Sequence, residues 1–242
     1  MKVRFRFAKI GKIRWTSHRD LARMWERAFR RTQLPLAYSA GFSPRPKVSF
    51  GLALSTGHES VAEYLDVDLE PARVDRLDVA SLPDRLTAAL PAGVDVLAAA
   101  TIDEGAASLQ HEVNSCRYEV VAAGAPITEL RALAARALAA DSLVVTRNRK
   151  GQAVTDDVRP AILSLAVLDE VVDGVLLAAE VATQPRGLRP AELLAALSPE
   201  LVEVRVLRTH QWISRADGAR EEPIPLRDVP GAPPAPQLER VS

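Results

Sequence analysis

Four arginines on one predicted helix are the residues of this sequence whose type and spacing best suit binding chemistry. Arg19, Arg23, Arg27 and Arg30 recur at helical spacing, so they share about one third of the helix circumference. Like charges placed this way repel each other by roughly a few tenths of a kcal/mol per pair. Two interpretations are open: a solvated arginine surface, or a track that binds the phosphates of a polyanion and releases their counterions.

A proline-rich segment after this helix adds two more cations. Residues 33–47 contain Arg45 and Lys47 beside Phe42, with no acidic residue among them. Three prolines and Gly41 make the segment unsuitable for a helix interior or a central strand. It is predicted to be a long loop, which acts either as a mobile basic clamp or simply as a soluble connection.

A second basic segment occurs in the later half of the chain, at residues 141–162. It contains Arg147, Arg149 and Lys150 close together, and Arg159 before a proline. One interpretation is the charged tip of a hairpin. The other is a second set of phosphate contacts.

His18 is the one candidate for proton-transfer chemistry. It lies in the first turn of the predicted helix, where the helix dipole disfavours a charged imidazole. A neutral histidine there could act as general acid or base in metal-independent RNA cleavage. The alternative is an exposed or capping histidine without a catalytic role.

The charges of the chain are unevenly distributed, although 31 basic and 31 acidic residues cancel overall. Residues 1–60 contain 13 Lys and Arg against three Asp and Glu, a net charge of +10. The remaining residues contain 18 against 28, a net charge of −10. This asymmetry predicts a basic surface for a polyanion in the amino-terminal part.

Cysteine use and hydropathy exclude several classes of protein. The single cysteine, Cys116, cannot supply a disulfide framework, a four-cysteine zinc site or an iron–sulfur cluster. No metal or cofactor is predicted, and a reducing, cytoplasmic location is expected. The most apolar segment, residues 163–182, contains several acidic residues, Asp169, Glu170 and Asp173 among them, and is not expected to cross a membrane.

The first two elements are predicted from periodicity and capping. Residues 2–7 alternate between apolar and basic side chains, which is typical of a half-buried strand. Ser17 can cap the following helix, with Asp20 three positions later. An apolar stripe predicts the face that this helix turns to the core; it consists of Leu21, Met24, Trp25, Ala28 and Phe29.

The remaining elements complete a β-α-β-β-α-β order that recurs in the second half. In the first half, strands are expected at 48–54, 62–69 and 94–102 and a helix at 81–90. In the second half, strands are expected at 116–123, 163–169, 175–183 and 202–210, and helices at 127–140 and 189–197. The predicted fold class is α+β, with two tandem ferredoxin-like domains at residues 1–104 and 110–213. Residues 214–242, with six of the 17 prolines, are predicted to be a disordered tail.

Two specific runs and one short pair resemble the bacterial radical-SAM-linked proteins, a family built on an uncharacterised domain. They are RWTSHRDL at 14–21, GFSPRP at 41–46 leading to Phe50-Gly51, and Arg208-Thr209. In that family the domain occurs alone or follows a B12-binding radical SAM enzyme, and its genes often lie beside an RNase E/G type ribonuclease. The resemblance implies an accessory or substrate-binding protein, because this chain lacks the three cysteines of the radical SAM cluster.

A more distant likeness is to the CRISPR repeat-cleaving endoribonucleases. These enzymes are similar in having two ferredoxin-like domains and, often, a catalytic histidine near the first helix, where His18 lies in this sequence. A shared fold does not carry a function with it.

The predicted function is therefore an RNA-binding accessory protein that presents RNA, such as tRNA or rRNA, to a radical SAM partner. Its predicted phosphate contacts are Arg19, Arg23, Arg27, Arg45, Lys47, Arg147, Arg149, Lys150 and Arg159. One alternative is an endoribonuclease that uses His18. Another is a protein-interaction scaffold whose basic face binds an acidic partner surface.

Overall fold

The computed structural model describes residues 1–75, 77–149, 151–215 and 217–224. Strands dominate it and helices are few, which confirms the α+β class. The described chain divides into two compact units. The first consists of Met1–Val113 together with residues 212–224, and the second consists of Asn114–Gln211.

The first unit is built on an antiparallel sheet in the order β4-β1-β3, with β2 paired to β3. Its elements are β1 (Lys2–Lys9), α1 (His18–Arg31), β2 (Val48–Phe50), β3 (Glu59–Asp68), α2 (Leu82–Thr87), β4 (Val94–Ile102) and α3 (Leu109–Glu112). The predicted helix at 81–90 is thus shorter than expected. The short α3 has no counterpart among the predicted elements.

The predicted cap and apolar stripe of α1 are confirmed. The Ser17 hydroxyl accepts a hydrogen bond from the Asp20 backbone N–H at 3.2 Å. Trp25, which is fully buried, packs edge-on against Phe7 with ring centroids 5.1 Å apart and also lies against Phe29. These contacts fix which face of α1 is turned to the sheet, and therefore which face carries the arginines.

Strand β1 is buried on both faces, so the prediction of a half-buried strand is wrong. Arg4 lies opposite Asp66 on β3, and its Nε and Nη2 donate to the two carboxylate oxygens at 2.8 and 3.0 Å. Glu112 lies 3.4 Å from the same guanidinium. Burial lowers the pKa of Arg4, but the ion pairs with Asp66 and Glu112 outweigh burial and raise it above its ordinary value.

Arg6 is buried in the same way, with partners from the end of the described chain. Its guanidinium lies 2.9 Å from Glu222 and donates to the carbonyls of Val61 and Ile224, each at 3.1 Å. Both arginines of β1 are therefore internal, and each is paired with a carboxylate from another part of the first unit.

The second unit contains a sheet in the order β10-β5-β9-β8 and a separate hairpin of two strands. Its elements are β5 (Ser115–Ala123), α4 (Ile127–Ala139), β6 (Val144–Arg149), β7 (Gln152–Asp157), β8 (Ile162–Val171), β9 (Gly174–Ala182), α5 (Pro190–Leu197) and β10 (Val202–Ser214), which belongs to this unit up to Gln211. The basic segment at 141–162 thus forms the β6–β7 hairpin. Tandem ferredoxin-like domains stay a prediction.

The segment predicted to be a disordered tail begins with ordered structure. Strand β11 (Arg220–Glu221) pairs with the end of β10, and Ile224 is buried. The apolar Ile224 side chain and the carbonyl that Arg6 uses hold this segment to the first unit. Residues 225–242 lie outside the described residues. None of the helices in the described ranges has the length and apolar character needed to cross a membrane.

Candidate nucleic-acid interface

The exposed side of α1, here called the arginine face, carries Arg19, Arg23, Arg27 and Arg30. Arg23 lies 3.3 Å from Asp20 and is partly neutralised. Within the described residues, the side chains of Arg19, Arg27 and Arg30 make no ion pair or hydrogen bond. At 1.5 Å per residue, the face is about 16 Å long, so three uncompensated guanidinium groups lie along one short helix.

A groove of about 460 Å³, the arginine groove, lies beside this face. Its lining residues are Met24, Arg27, Arg30, Arg31 and residues 89–91, and no carboxylate is among them. Arg31 Nη1 lies 3.5 Å from the Ala89 carbonyl oxygen, which orients that guanidinium across the groove. The groove therefore combines three cations with an apolar wall.

A second groove of about 410 Å³, the tyrosine groove, shares Arg30 with the arginine groove. Its lining residues are Phe29, Arg30, Gln33, Leu34, Leu36, Tyr38 and Arg73. Tyr38 is about half exposed, at 53%. Arg73 lies 3.6 Å from Glu70 and is partly neutralised.

The end of α1 shapes both grooves. The Leu34 N–H donates to the Phe29 carbonyl at 3.1 Å, and the Gln33 N–H donates to the Arg30 carbonyl at 3.2 Å. This is a Schellman motif with Gln33 in the left-handed position at φ 53°, where glycine is the usual residue. Arg30 and Arg31 lie in the last turn, where the helix dipole favours cations and offsets part of their mutual repulsion.

The predicted loop at 33–47 is partly structured and presents its cations to solvent. Ala37 N–H donates to the Asp68 carbonyl at 2.8 Å, and Lys47 N–H donates to the Ala37 carbonyl at 2.9 Å. Arg45 and Lys47 are exposed, and within the described residues their side chains have no partner. Phe42 is fully exposed beside Gly41.

Sequence reasoning missed two exposed aromatic side chains in this unit, Tyr38 and Trp15. Trp15 is 65% exposed. The Arg14 guanidinium lies over its ring, with the Arg14 Cζ atom 5.3 Å from the Trp15 ring centroid. It also missed Arg31 and Arg73 as groove-lining residues. An aromatic residue in a predicted loop was the available signal for Tyr38, since loops lie mostly at the surface and often carry binding residues.

His18 is exposed at the start of α1, with its ring edge-on to Phe50 at 5.0 Å between centroids. Both rings line a small cavity of about 10 Å³, which has room for about one water molecule. Lys9 and Glu63, both nearly fully buried, line the same cavity. Lys9 Nζ donates to the carbonyls of Arg14 and Thr16 at 3.2 and 3.0 Å.

The predicted cations of the second unit are placed differently. Arg159 Nη2 donates to the Leu138 carbonyl at 2.8 Å and Nη1 donates to the Ile162 carbonyl at 3.1 Å. Its guanidinium thus supports the end of α4, and phosphate binding by Arg159 stays a prediction. The backbones of Arg147 and Arg149 lie in β6. Their side chains, and all of Lys150, lie outside the described residues.

Taken together, these features define a two-unit α+β protein with a basic helix face in its first unit. The chain belongs to a bacterial family, DUF2344, described as an uncharacterized protein conserved in bacteria, whose family model matches residues 2–190. No curated protein matches the chain.

Solved structures to which the chain is similar include chains of H/ACA ribonucleoproteins. A chain of the archaeal box H/ACA sRNP Nop10-Cbf5 complex is 12% identical, with 86% of this chain and 47% of that chain covered and a TM-score of 0.44. A chain of a Cbf5-Nop10-Gar1 complex is 13% identical, with 86% and 48% covered and a TM-score of 0.47. A chain of an H/ACA RNP bound to a substrate RNA containing 2'-deoxyuridine is 14% identical, with 80% and 43% covered and a TM-score of 0.39. This chain spans less than half the length of each of these chains.

Proposed function

We propose that this protein binds RNA through the arginine face and presents it to a radical SAM enzyme. The observation that carries the proposal is the arginine groove, where Arg27, Arg30 and Arg31 converge without a carboxylate. A planar guanidinium can donate two parallel hydrogen bonds to one phosphate, and such charge-assisted bonds are stronger than neutral ones. A groove of this composition therefore suits a ligand with several phosphates.

RNA fits the surroundings of this groove better than an acidic protein does. Tyr38 and Phe42, both exposed, occur in the segment that follows the arginine face. Unpaired bases stack on aromatic rings, whereas an acidic protein surface offers no such partner. If the basic face is a scaffold for an acidic protein, excess RNA should not displace that protein. If the basic face binds RNA, excess RNA should displace an acidic protein bound there.

The radical SAM partnership is supported by the sequence runs that resemble the radical-SAM-linked family. Residues 14–21 include the start of α1, and residues 41–46 lie in the loop that carries Arg45. Both runs are therefore in the unit that contains the arginine face. The proposed partners are a B12-binding radical SAM protein and, through neighbouring genes, an RNase E/G type ribonuclease. Co-purification of the enzyme, measured with and without ribonuclease treatment, shows whether RNA bridges the two proteins.

The first test is RNA binding by the whole chain at increasing salt concentration. With about four phosphate contacts, the logarithm of the association constant should fall with the logarithm of salt concentration with a slope of about −3 on single-stranded RNA. Fluorescence anisotropy with a labelled oligouridylate measures it. A slope near zero, or no binding at low salt, would refute the proposal.

His18 carries a second candidate function, metal-independent RNA cleavage. The favouring observation is that three titratable side chains, His18, Lys9 and Glu63, line one cavity at the helix start. Proton transfer in RNA cleavage needs a general base for the 2'-hydroxyl and a general acid for the leaving oxygen. An exposed imidazole that lines the same cavity as two buried titratable side chains can provide one of these roles.

His18→Ala tests the cleavage hypothesis. We expect at least about a 100-fold loss of any cleavage in the presence of a metal chelator, since general acid–base catalysis contributes about that much or more. Binding of the same RNA should stay within about twofold, because His18 is not part of either groove. If the wild-type protein leaves the RNA intact over the same period, the cleavage hypothesis is rejected and the binding proposal is unaffected.

A further inference from the structure

We infer that the tyrosine groove holds an unpaired nucleobase, so that the RNA ligand is single-stranded where it meets Arg30. This inference rests on the proposed function and names its substrate class. The groove has about 410 Å³, within the range of small-ligand sites. The apolar Leu34 and Leu36 and the exposed ring of Tyr38 give it the aromatic and aliphatic walls that a flat base requires.

The backbone that carries the Tyr38 ring is held in place by several bonds. Tyr38 forms an isolated β-bridge with Pro46. On either side of it, Ala37 bonds to Asp68 and Lys47, and the Ser39 N–H donates to the Arg45 carbonyl at 2.9 Å. A ring on so fixed a backbone loses little freedom when a base stacks on it. The groove is therefore pre-organised for its ligand.

The charges at the rim complement a nucleotide rather than a free base. Arg30 lines both this groove and the arginine groove. A nucleotide whose phosphate is bound by Arg30 can thus place its base against Tyr38, while neighbouring phosphates lie along Arg27 and Arg31. Arg73 contributes less charge, because Glu70 is 3.6 Å away.

Gln33 adds a group that can recognise a base edge. Its side-chain amide both donates and accepts hydrogen bonds, as base edges do. The left-handed backbone at this position would suit glycine better, yet the residue is glutamine and it lines the groove. The Gln33 amide and the Tyr38 ring therefore line the same groove.

Duplex RNA cannot use this groove. In an A-form helix the bases are paired and stacked, and only phosphates, sugars and groove edges are accessible. A base can enter a pocket beside Tyr38 only when its strand is unpaired. Duplex binding, where it occurs, then depends on the arginine face alone.

Tyr38→Ala tests the inference, with a labelled oligouridylate and its duplex with oligoadenylate as the two probes. We expect about a tenfold loss of affinity for the single strand, since one base stacked on an aromatic side chain contributes about that much. The salt slope should not change, because no cation is removed. Tyr38→Phe keeps the ring and should retain the wild-type affinity, and duplex affinity should change less than about twofold.

The outcomes separate this inference from the proposed function. Equal affinity of the wild-type and Tyr38→Ala proteins for the single strand would overturn the base pocket, while RNA binding by the arginine face would still stand. Equal losses on single strand and duplex would overturn it as well. If the wild-type protein binds neither probe, the proposed function itself fails. Thermal melting of each variant verifies the fold, which a half-exposed side chain such as Tyr38 should not affect.

Discussion

Replacing Arg27 and Arg30 together by glutamine is expected to weaken RNA binding about 100-fold. Each guanidinium is exposed and, within the described residues, has no ion-pair partner. A hydrogen bond to a charged group contributes about 1.5 kcal/mol or more, which is about tenfold in affinity for each residue. The salt slope should also become shallower by about 1.4, because about 0.7 is lost with each contact to a single strand. Anisotropy titrations at several salt concentrations measure both quantities.

Two single substitutions serve as controls for this double variant. Arg136→Gln makes the same chemical change at an exposed position of α4, where the side chain has no partner within the described residues. It should leave affinity within about twofold. Arg23→Gln should cost less than either arginine of the groove, because Asp20 already compensates Arg23. Glutamine and arginine have similar helix propensities, so α1 should fold normally. A double variant that binds like Arg136→Gln would show the arginine face to be an ordinary solvated surface.

Asp66→Ala is expected to reduce the free energy of unfolding of the protein by about 3 kcal/mol. Arg4 and Asp66 form a two-point ion pair inside the first unit, and both side chains are at most 7% exposed. Removing one partner of a buried pair leaves an uncompensated charge and costs about 3 to 5 kcal/mol. The value should be at the lower end, because Glu112 remains 3.4 Å from Arg4. Urea unfolding monitored by tryptophan fluorescence measures the change.

A neighbouring pair on the same two strands provides the control. Lys2 and Asp68 are 3.9 Å apart and partly exposed, so Asp68→Ala should cost no more than about 1 kcal/mol. The double change Arg4→Met with Asp66→Leu should recover most of the stability, because it removes both charges and keeps the buried volume apolar. Equal effects of Asp66→Ala and Asp68→Ala would contradict the assignment of Arg4–Asp66 as a buried pair.

The elements that could be predicted from sequence are those determined by local pattern. The cap at Ser17 and the stripe through Trp25 are short-range features, and the structure contains both. The boundaries of β5, α4, β9 and α5 are also within one residue of their predicted positions, because a continuous apolar periodicity bounded by Pro or Gly marks each of them.

The features that could not be predicted depend on contacts distant in sequence. The tyrosine groove brings Arg73 to the segment 29–38, and nothing local in the sequence links Arg73 to that segment. The internal role of Arg6 depends on Glu222, more than 200 positions later. Arg159 carried the same charge signal as Arg45, yet its guanidinium is bonded to two backbone carbonyls. Charge type and spacing do not distinguish a cation bound internally from one available to a ligand.

The contact between β1 and the segment around Glu222 has a consequence for biosynthesis. Arg6 is translated well before one of its acceptors, the Ile224 carbonyl, which is 218 positions later in the chain. At bacterial elongation rates of about 5–20 residues per second, the ribosome adds that segment about 10 to 40 s later. Until then the Arg6 guanidinium of the nascent first unit can bond to the Val61 carbonyl but lacks Glu222 and the Ile224 carbonyl. The native core of the first unit is therefore completed only after the second unit has been synthesised.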